Sequence, residues 1–233
     1  MLQKEDAIQL EITDEMIDEA LTHALQMSFL DNLRNRAPFV QFDSKLRGYL
    51  GEIAMKKLIL ESGVSIVSVD SSDGSGEDID MCIENDYINN IRLEIKTSCI
   101  PDIWKNLDMV IQKADIKIIK RESSYKDIKA DIHIQIYFNQ WRKKRDEMLS
   151  AIKGLPSDYL KKELIEIMEL KQLKQVFIAW IDKGTLIKNL SNKKIKTWQF
   201  GYRSFWSCPL TETNKPKEMM GFLKNYKGIK SEE

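Results

Sequence analysis

Between residues 78 and 98 the chain reads DIDMCIENDYINNIRLEIKTS, two stretches of alternating apolar and polar residues around a polar turn. Alternation with a period of two marks a half-buried strand, because successive side chains leave opposite faces of the backbone. In the first stretch Ile79, Met81 and Ile83 share one face, and Asp78, Asp80, Cys82 and Glu84 share the other. In the second, Ile91, Leu93 and Ile95 oppose Arg92, Glu94 and Lys96. If the strands pair as a hairpin, matched apolar faces require opposed residues whose numbers have an even sum, and one such register sets Asp80 against Glu94. Pairing Glu84 with Ile91 would set charge against the core, so the turn is expected to hold an odd number of residues. Asn85, Asp86, Asn89 and Asn90 supply its chemistry.

The flanks add two features. SSDGSGE, just before the acidic strand, has the composition of a flexible approach loop of the kind that often carries function. Upstream, RGYLGEIAMKKLI lies in a helix expected to begin near Asp43 or Ser44 and to be stopped by Gly63. Its apolar stripe includes Leu46, Leu50, Ile53, Ala54 and Leu58, which leaves Glu52 at the edge of the buried face. A carboxylate there can reach a site at the sheet edge.

Two carboxylates and a lysine on one sheet face suit a hard divalent cation beside a water. Such a cation prefers oxygen ligands, polarises a phosphodiester and offsets the charge that builds on phosphate in the transition state. A compact lysine ammonium can orient the attacking water, and its pKa responds to its surroundings where arginine would stay charged. Acid-x-acid and E-x-K also occur as solvated strand surface, so the pattern gains its force from order and context.

A helix bearing GE, then a strand bearing D, then a strand bearing E-x-K resembles the PD-(D/E)XK, or restriction-endonuclease-like, nuclease superfamily over roughly residues 44 to 98. No proline precedes Asp80, as in many members, and Asp78 is the neighbouring alternative to it. The resemblance implies catalytic roles for Glu52, Asp80, Glu94 and Lys96. Asp80, Glu94 and Ile95 would form the metal set, Lys96 would lie beside the attacking water, and Glu52 would be an auxiliary ligand or support. It also implies Mg2+, with Mn2+ as the alternative ion, and hydrolysis of DNA phosphodiester bonds by a restriction-like, defence or mobile-element endonuclease. RNA is the alternative substrate. The rival reading is a catalytically silent nucleic-acid-binding or assembly module on the same fold. A lone active site cuts one strand at a time, so double-strand cleavage would favour a homodimer.

Composition narrows the class further. Lysine plus arginine equals aspartate plus glutamate at 36 each, so no global basic charge announces nucleic acid. The distribution is uneven. Residues 1 to 31 hold eight acids against Lys4 as the only lysine or arginine, whereas residues 184 to 208 hold Lys188, Lys193, Lys194, Lys196 and Arg203 and no acid. Lys194, Lys196 and Arg203 are therefore the candidate phosphate contacts. The interleaved Trp198, Phe200, Tyr202, Phe205 and Trp206 suit either stacking on bases or the core of a final hairpin. Cys82, Cys99 and Cys208 are widely spaced and imply neither a disulfide scaffold nor zinc, while His23 and His133 read as structural or surface residues. The acidic N-terminus has no apolar signal core and no long apolar run occurs, so a cytoplasmic protein without a membrane partner is expected.

Elsewhere, Thr13 to Leu30 reads as an amphipathic helix capped by Thr13, 64 to 70 as a strand, and 131 to 138 as a strand beside the motif hairpin. Residues 141 to 175 read as helical with mostly solvated charges, and 176 to 182 as a buried strand. The stretch from Pro101 to Arg121 allows helix or strand. The expected fold is α/β, a central mixed β-sheet flanked by helices, in one nuclease domain over 1 to 233. Within it, 1 to 43 form an N-terminal helical extension, 44 to 140 the catalytic core, 141 to 175 a helical insertion and 176 to 233 the C-terminal strands with the basic and aromatic segment.

Overall fold

A computed structural model describes residues 2–26, 37–67, 79–88, 90–104, 106–120, 128–192, 196–200 and 203–228, with backbone alone at 119, 120, 196, 198–200 and 203. The architecture is α/β. The motif hairpin forms as β3 (Met81–Glu84) and β4 (Asn90–Ile100), paired antiparallel with Met81 opposite Leu93, Ile83 opposite Ile91 and Glu84 opposite Asn90. The last pair leaves five residues in the turn, an odd number. Asn85 closes that turn, its side-chain oxygen accepting from the backbone N–H of Tyr87 at 2.9 Å and Ile88 at 3.0 Å.

Four further strands complete a mixed six-stranded sheet: β1 (Ile8–Leu10), β2 (Ile66–Val67), β6 (Ile132–Trp141) and β7 (Gln175–Asp182), in the order β1-β7-β6-β4-β3-β2. β6 runs parallel to β4, with Leu93, Ile95 and Thr97 opposite Ile132, Ile134 and Ile136. β7 returns antiparallel to β6, so the 176 to 182 stretch lies between β1 and β6 in the main sheet. β1, three residues long, is an edge strand inside the stretch expected to be a helical extension.

The helix α1 (Asp14–Gln26) starts at Thr13, whose hydroxyl accepts from Met16 N at 3.2 Å; residues 27–30 lie outside the described residues. The Glu52 helix, α2 (Pro38–Glu61), starts five or six residues earlier than expected and crosses the assumed boundary at residues 43 and 44. Proline at the first helical position is preorganised for helix entry, and burial of Phe39 and Phe42 holds the extra turn. Gly63 ends it with φ of 73°, a conformation that favours glycine. α2 lies on the face of the sheet that carries Met81, Ile83, Ile91, Leu93, Ile95, Ile132, Ile134 and Ile136, packing Ala54, Met55 and Ile59 against them. It lies close because of Gly51, where an added Cβ would meet Thr97 Cγ2 at 2.4 Å.

The opposite face carries Tyr137, Ala179 and Ile181 and is covered by α3 (Leu107–Lys113), α6 (Lys183–Ser191) and a small second sheet. That sheet has the order β5 (Asp115–Lys120), β9 (Arg203–Pro209), β8 (Lys196–Phe200). The stretch from Pro101 to Arg121 thus holds both a helix and a strand. Trp206 and Cys208 of β9 join this core, as core packing of the final hairpin requires. A third apolar cluster joins α1, the first half of α2, α4 (Arg142–Ala151) and α5 (Lys161–Ile167) through Leu21, Phe42, Leu46, Leu149 and Leu164. The last helix, α7 (Met219–Asn225), packs Met219 and Leu223 into the α2 side of the core. The acids of the N-terminal stretch meet distant lysines: Asp6 pairs with Lys215 and Lys217, Glu11 with Lys57, Asp14 with Lys171 and Asp18 with Lys161.

Candidate active site

The site forms where β3 parts from β4. Asp80 N donates to Leu93 O at 2.9 Å, one step beyond the Met81–Leu93 pair, so Asp80 arrives beside Glu94 on the neighbouring strand. Its carboxylate then replaces the missing strand: Asp80 Oδ2 accepts from Ile95 N at 2.5 Å. A strand residue presents its N–H and C=O to the same side, so the Ile95 carbonyl faces the Asp80 edge too.

Glu52 comes to the same corner from α2. Burial, and after it the charge of Asp80, push its carboxyl up to about 8. Gly51 is what allows this approach, since the helix at that point rests directly on Thr97.

Glu94 is buried at 4% exposure, with both oxygens engaged. Oε2 lies 2.6 Å from His133 Nδ1, and Oε1 pairs with Lys96 Nζ. Burial alone would raise this carboxyl, but the His133 hydrogen bond and charge, with those of Lys96, outweigh it and hold it at about 2. An ionised Glu94 can only accept, so Nδ1 of His133 donates and Nε2 is left without a hydrogen-bond partner among the described residues. Beside this pair, Gln135 Nε2 donates to the Lys96 carbonyl at 3.1 Å and to Ser98 Oγ at 3.3 Å, which fixes the strand at the lysine.

The four expected residues therefore form two groups, Glu52 with Asp80 and Glu94 with Lys96, joined through the Glu94–Ile95 backbone. His133, expected to be a structural or surface residue, is a buried partner of Glu94. It stands directly opposite Glu94 in the parallel β4–β6 pairing and is 1% exposed. The alternation of 131 to 138 put His133 and Gln135 on one polar face, and only the register was missing. Asp78 and the SSDGSGE loop lie outside the described residues, as does Lys194. Lys196 and Arg203 fall on β8 and β9, and their side chains lie outside the described residues.

Among the described residues no group of three or more His, Cys, Asp or Glu side chains is gathered as a ready-made metal site. The donor chemistry nevertheless fits a hard cation. Asp80, the adjacent Ile95 carbonyl and Glu94 offer oxygen, Glu52 adds a carboxyl that a nearby cation would help to ionise, and a small dication that keeps several waters needs only one or two protein carboxylates. No described helix is long and apolar enough to cross a membrane. Comparison with family models, curated proteins and solved structures finds no match to this chain.

Proposed function

We propose that the chain is a metal-dependent nuclease of the PD-(D/E)XK kind, with a restriction-endonuclease-like core, that hydrolyses DNA phosphodiester bonds. The observation that carries this reading is the corner at Asp80: a carboxylate caps the strand at Ile95, with Glu94 and Lys96 flanking that residue and Glu52 pressed in from the helix. Asp80, Glu94 and the Ile95 carbonyl would hold Mg2+ or Mn2+, and Glu52 would support them. The ion, when bound, supplies charge neutralisation at the phosphate and makes a nearby water more acidic.

The chain's own residues do the rest. Asp80 sets negative charge at the end of β3, which draws a cation there and leaves an anionic phosphate repelled without one; Glu52, held neutral up to about pH 8, adds its charge once a cation offsets that of Asp80. His133 fixes one oxygen of Glu94, so the carboxylate cannot rotate away. Lys96, 30% exposed in its side chain, has its ammonium at the solvent side of Glu94, where it can orient water toward a phosphate. Incubation with linear DNA, circular DNA and RNA, each with Mg2+, Mn2+ or EDTA, tests the activity and separates the two substrate classes.

One observation favours the rival reading of a binding or assembly module without catalysis: His133 and Lys96 already occupy both oxygens of Glu94. In that case Glu94 would be a structural ion pair, and no divalent cation would displace Lys96 from it.

A further inference from the structure

Next to Lys96 the face of the main sheet opens into a cleft of about 630 Å³, walled by α2, β4, β5, β6, α4 and β9. Five cations line it, Arg47, Lys96, Lys117, Arg142 and Arg145, against three acids, Asp43, Asp115 and Asp146. The imbalance is built in rather than scattered on the surface. Asp43 is fully buried and is shared by two guanidinium groups, Arg47 Nε at 2.7 Å and Arg145 Nη1 at 3.1 Å. Asp146 is divided in the same way, between Arg145 at 2.9 Å and Arg142 at 3.8 Å. Three arginines thus meet two carboxylates.

Arg47 is held firmly. Its Nη2 donates to Gln140 Oε1 at 2.5 Å and its guanidinium sits 5.0 Å from the centre of the Phe138 ring, yet Nη1 has no partner among the described residues. A buried cation with an unmet donor is costly unless an acceptor arrives. Arginine is suited to that acceptor being a phosphate, and the remaining cations are spread over α4, β4 and β5 rather than gathered at one point, which suits a chain of phosphates. Half-buried Trp104 lines the same cleft. A cleft of this size takes a small ligand or a few unpaired nucleotides rather than a double helix.

We propose that this cleft binds an unpaired strand of nucleic acid, with phosphates on Arg47, Arg142 and Arg145 and a base against Trp104, and delivers it to Lys96. The delivery to Lys96 rests on the nuclease reading; the binding does not. It places the contact on residues other than Lys194, Lys196 and Arg203. It also revises α4, whose charges read as a solvated face: Arg145 points inward to Asp43.

The test is fluorescence anisotropy of a labelled single-stranded oligonucleotide and of its duplex in EDTA, over a range of salt. Lys117→Glu with Arg142→Glu reverses two exposed charges of the cleft without touching the core. Lys162→Glu with Lys224→Glu reverses two exposed charges elsewhere. The cleft variant is expected to lose at least about tenfold in single-strand affinity, and its salt slope to fall by roughly 0.7 for each cation removed. The distant variant is expected to lose far less. Arg145→Gln, checked by thermal melting for a folded chain, and Trp104→Ala are expected to weaken binding as well. Equal losses in both double variants, tighter binding of the duplex, or no binding by the unaltered chain each overturn the proposal. Cleavage by the same preparations separates the two claims. Binding in the cleft with no cleavage under any ion retains the cleft and removes the nuclease, whereas cleavage with an unaffected cleft variant does the reverse.

Discussion

Glu94 and His133 stand opposite each other on parallel strands, joined by a 2.6 Å hydrogen bond in which both side chains are almost completely buried. A carboxylate held this way keeps its charge inside the protein, and its second oxygen is presented to Lys96. The pair links the sheet's register to the chemistry of the site.

His133 should therefore act as a positioning residue. Replacing it with alanine should lower divalent-metal affinity and cleavage about 10- to 100-fold, the usual cost of losing a partner behind a ligand. His133→Asn, which can still donate, should recover part of both. Manganese titration by calorimetry alongside cleavage checks this, and equal metal affinity in all three proteins would leave His133 a packing residue.

The two acids should give opposite pH signatures. Glu94 has a folded-state value of about 2, below its ordinary 4.5, so the stability it contributes is present above 4.5 and is lost as pH falls toward 2. Glu52 has a folded-state value of about 8, above 4.5, so its contribution is present below 4.5 and is lost as pH rises through about 8. Melting curves in EDTA should show Glu52→Gln more stable than the unaltered chain near pH 8 and no more stable near pH 4.5. Added Mg2+ should raise the melting temperature near pH 8 more in the unaltered chain than in Glu52→Gln. A Glu52→Gln chain that melts lower throughout would mean that the carboxylate is satisfied as it stands.

Gly51 should tolerate no side chain. The methyl of Gly51→Ala would fall 2.4 Å from Thr97 Cγ2, and overpacking of this kind costs typically about 1 to 3 kcal/mol. Thr97→Ser removes that methyl and should restore much of the loss when combined with Gly51→Ala. Additive losses in the double variant would show that α2 is not held at this distance by the contact.

The hairpin, its odd turn and the strand beside it were legible because period-two alternation reports directly on local backbone geometry, and the buried strand at 176 to 182 because its run is almost wholly apolar. Helix entry at Pro38 was missed because proline reads equally as a loop breaker and as a first helical residue, and only burial of Phe39 and Phe42 decides. β1 escaped because three residues carry no period. His133 and the Asp43–Arg145 pair were invisible for another reason. Their partners lie 39 and 102 positions away, and pairing across such distances follows from sheet register and helix packing, which no local pattern encodes.

The most direct test of the central claim is cleavage of circular and linear DNA, and of RNA, by the unaltered chain and by Asp80→Ala, Glu94→Ala and Lys96→Ala, with Mg2+, with Mn2+ and with EDTA. Metal-dependent cleavage of DNA by the unaltered chain is expected, with none by Asp80→Ala or Glu94→Ala, and a severe loss of turnover with near-normal DNA affinity in Lys96→Ala. No cleavage by the unaltered chain under any ion, or full activity in Asp80→Ala or Glu94→Ala, would contradict it.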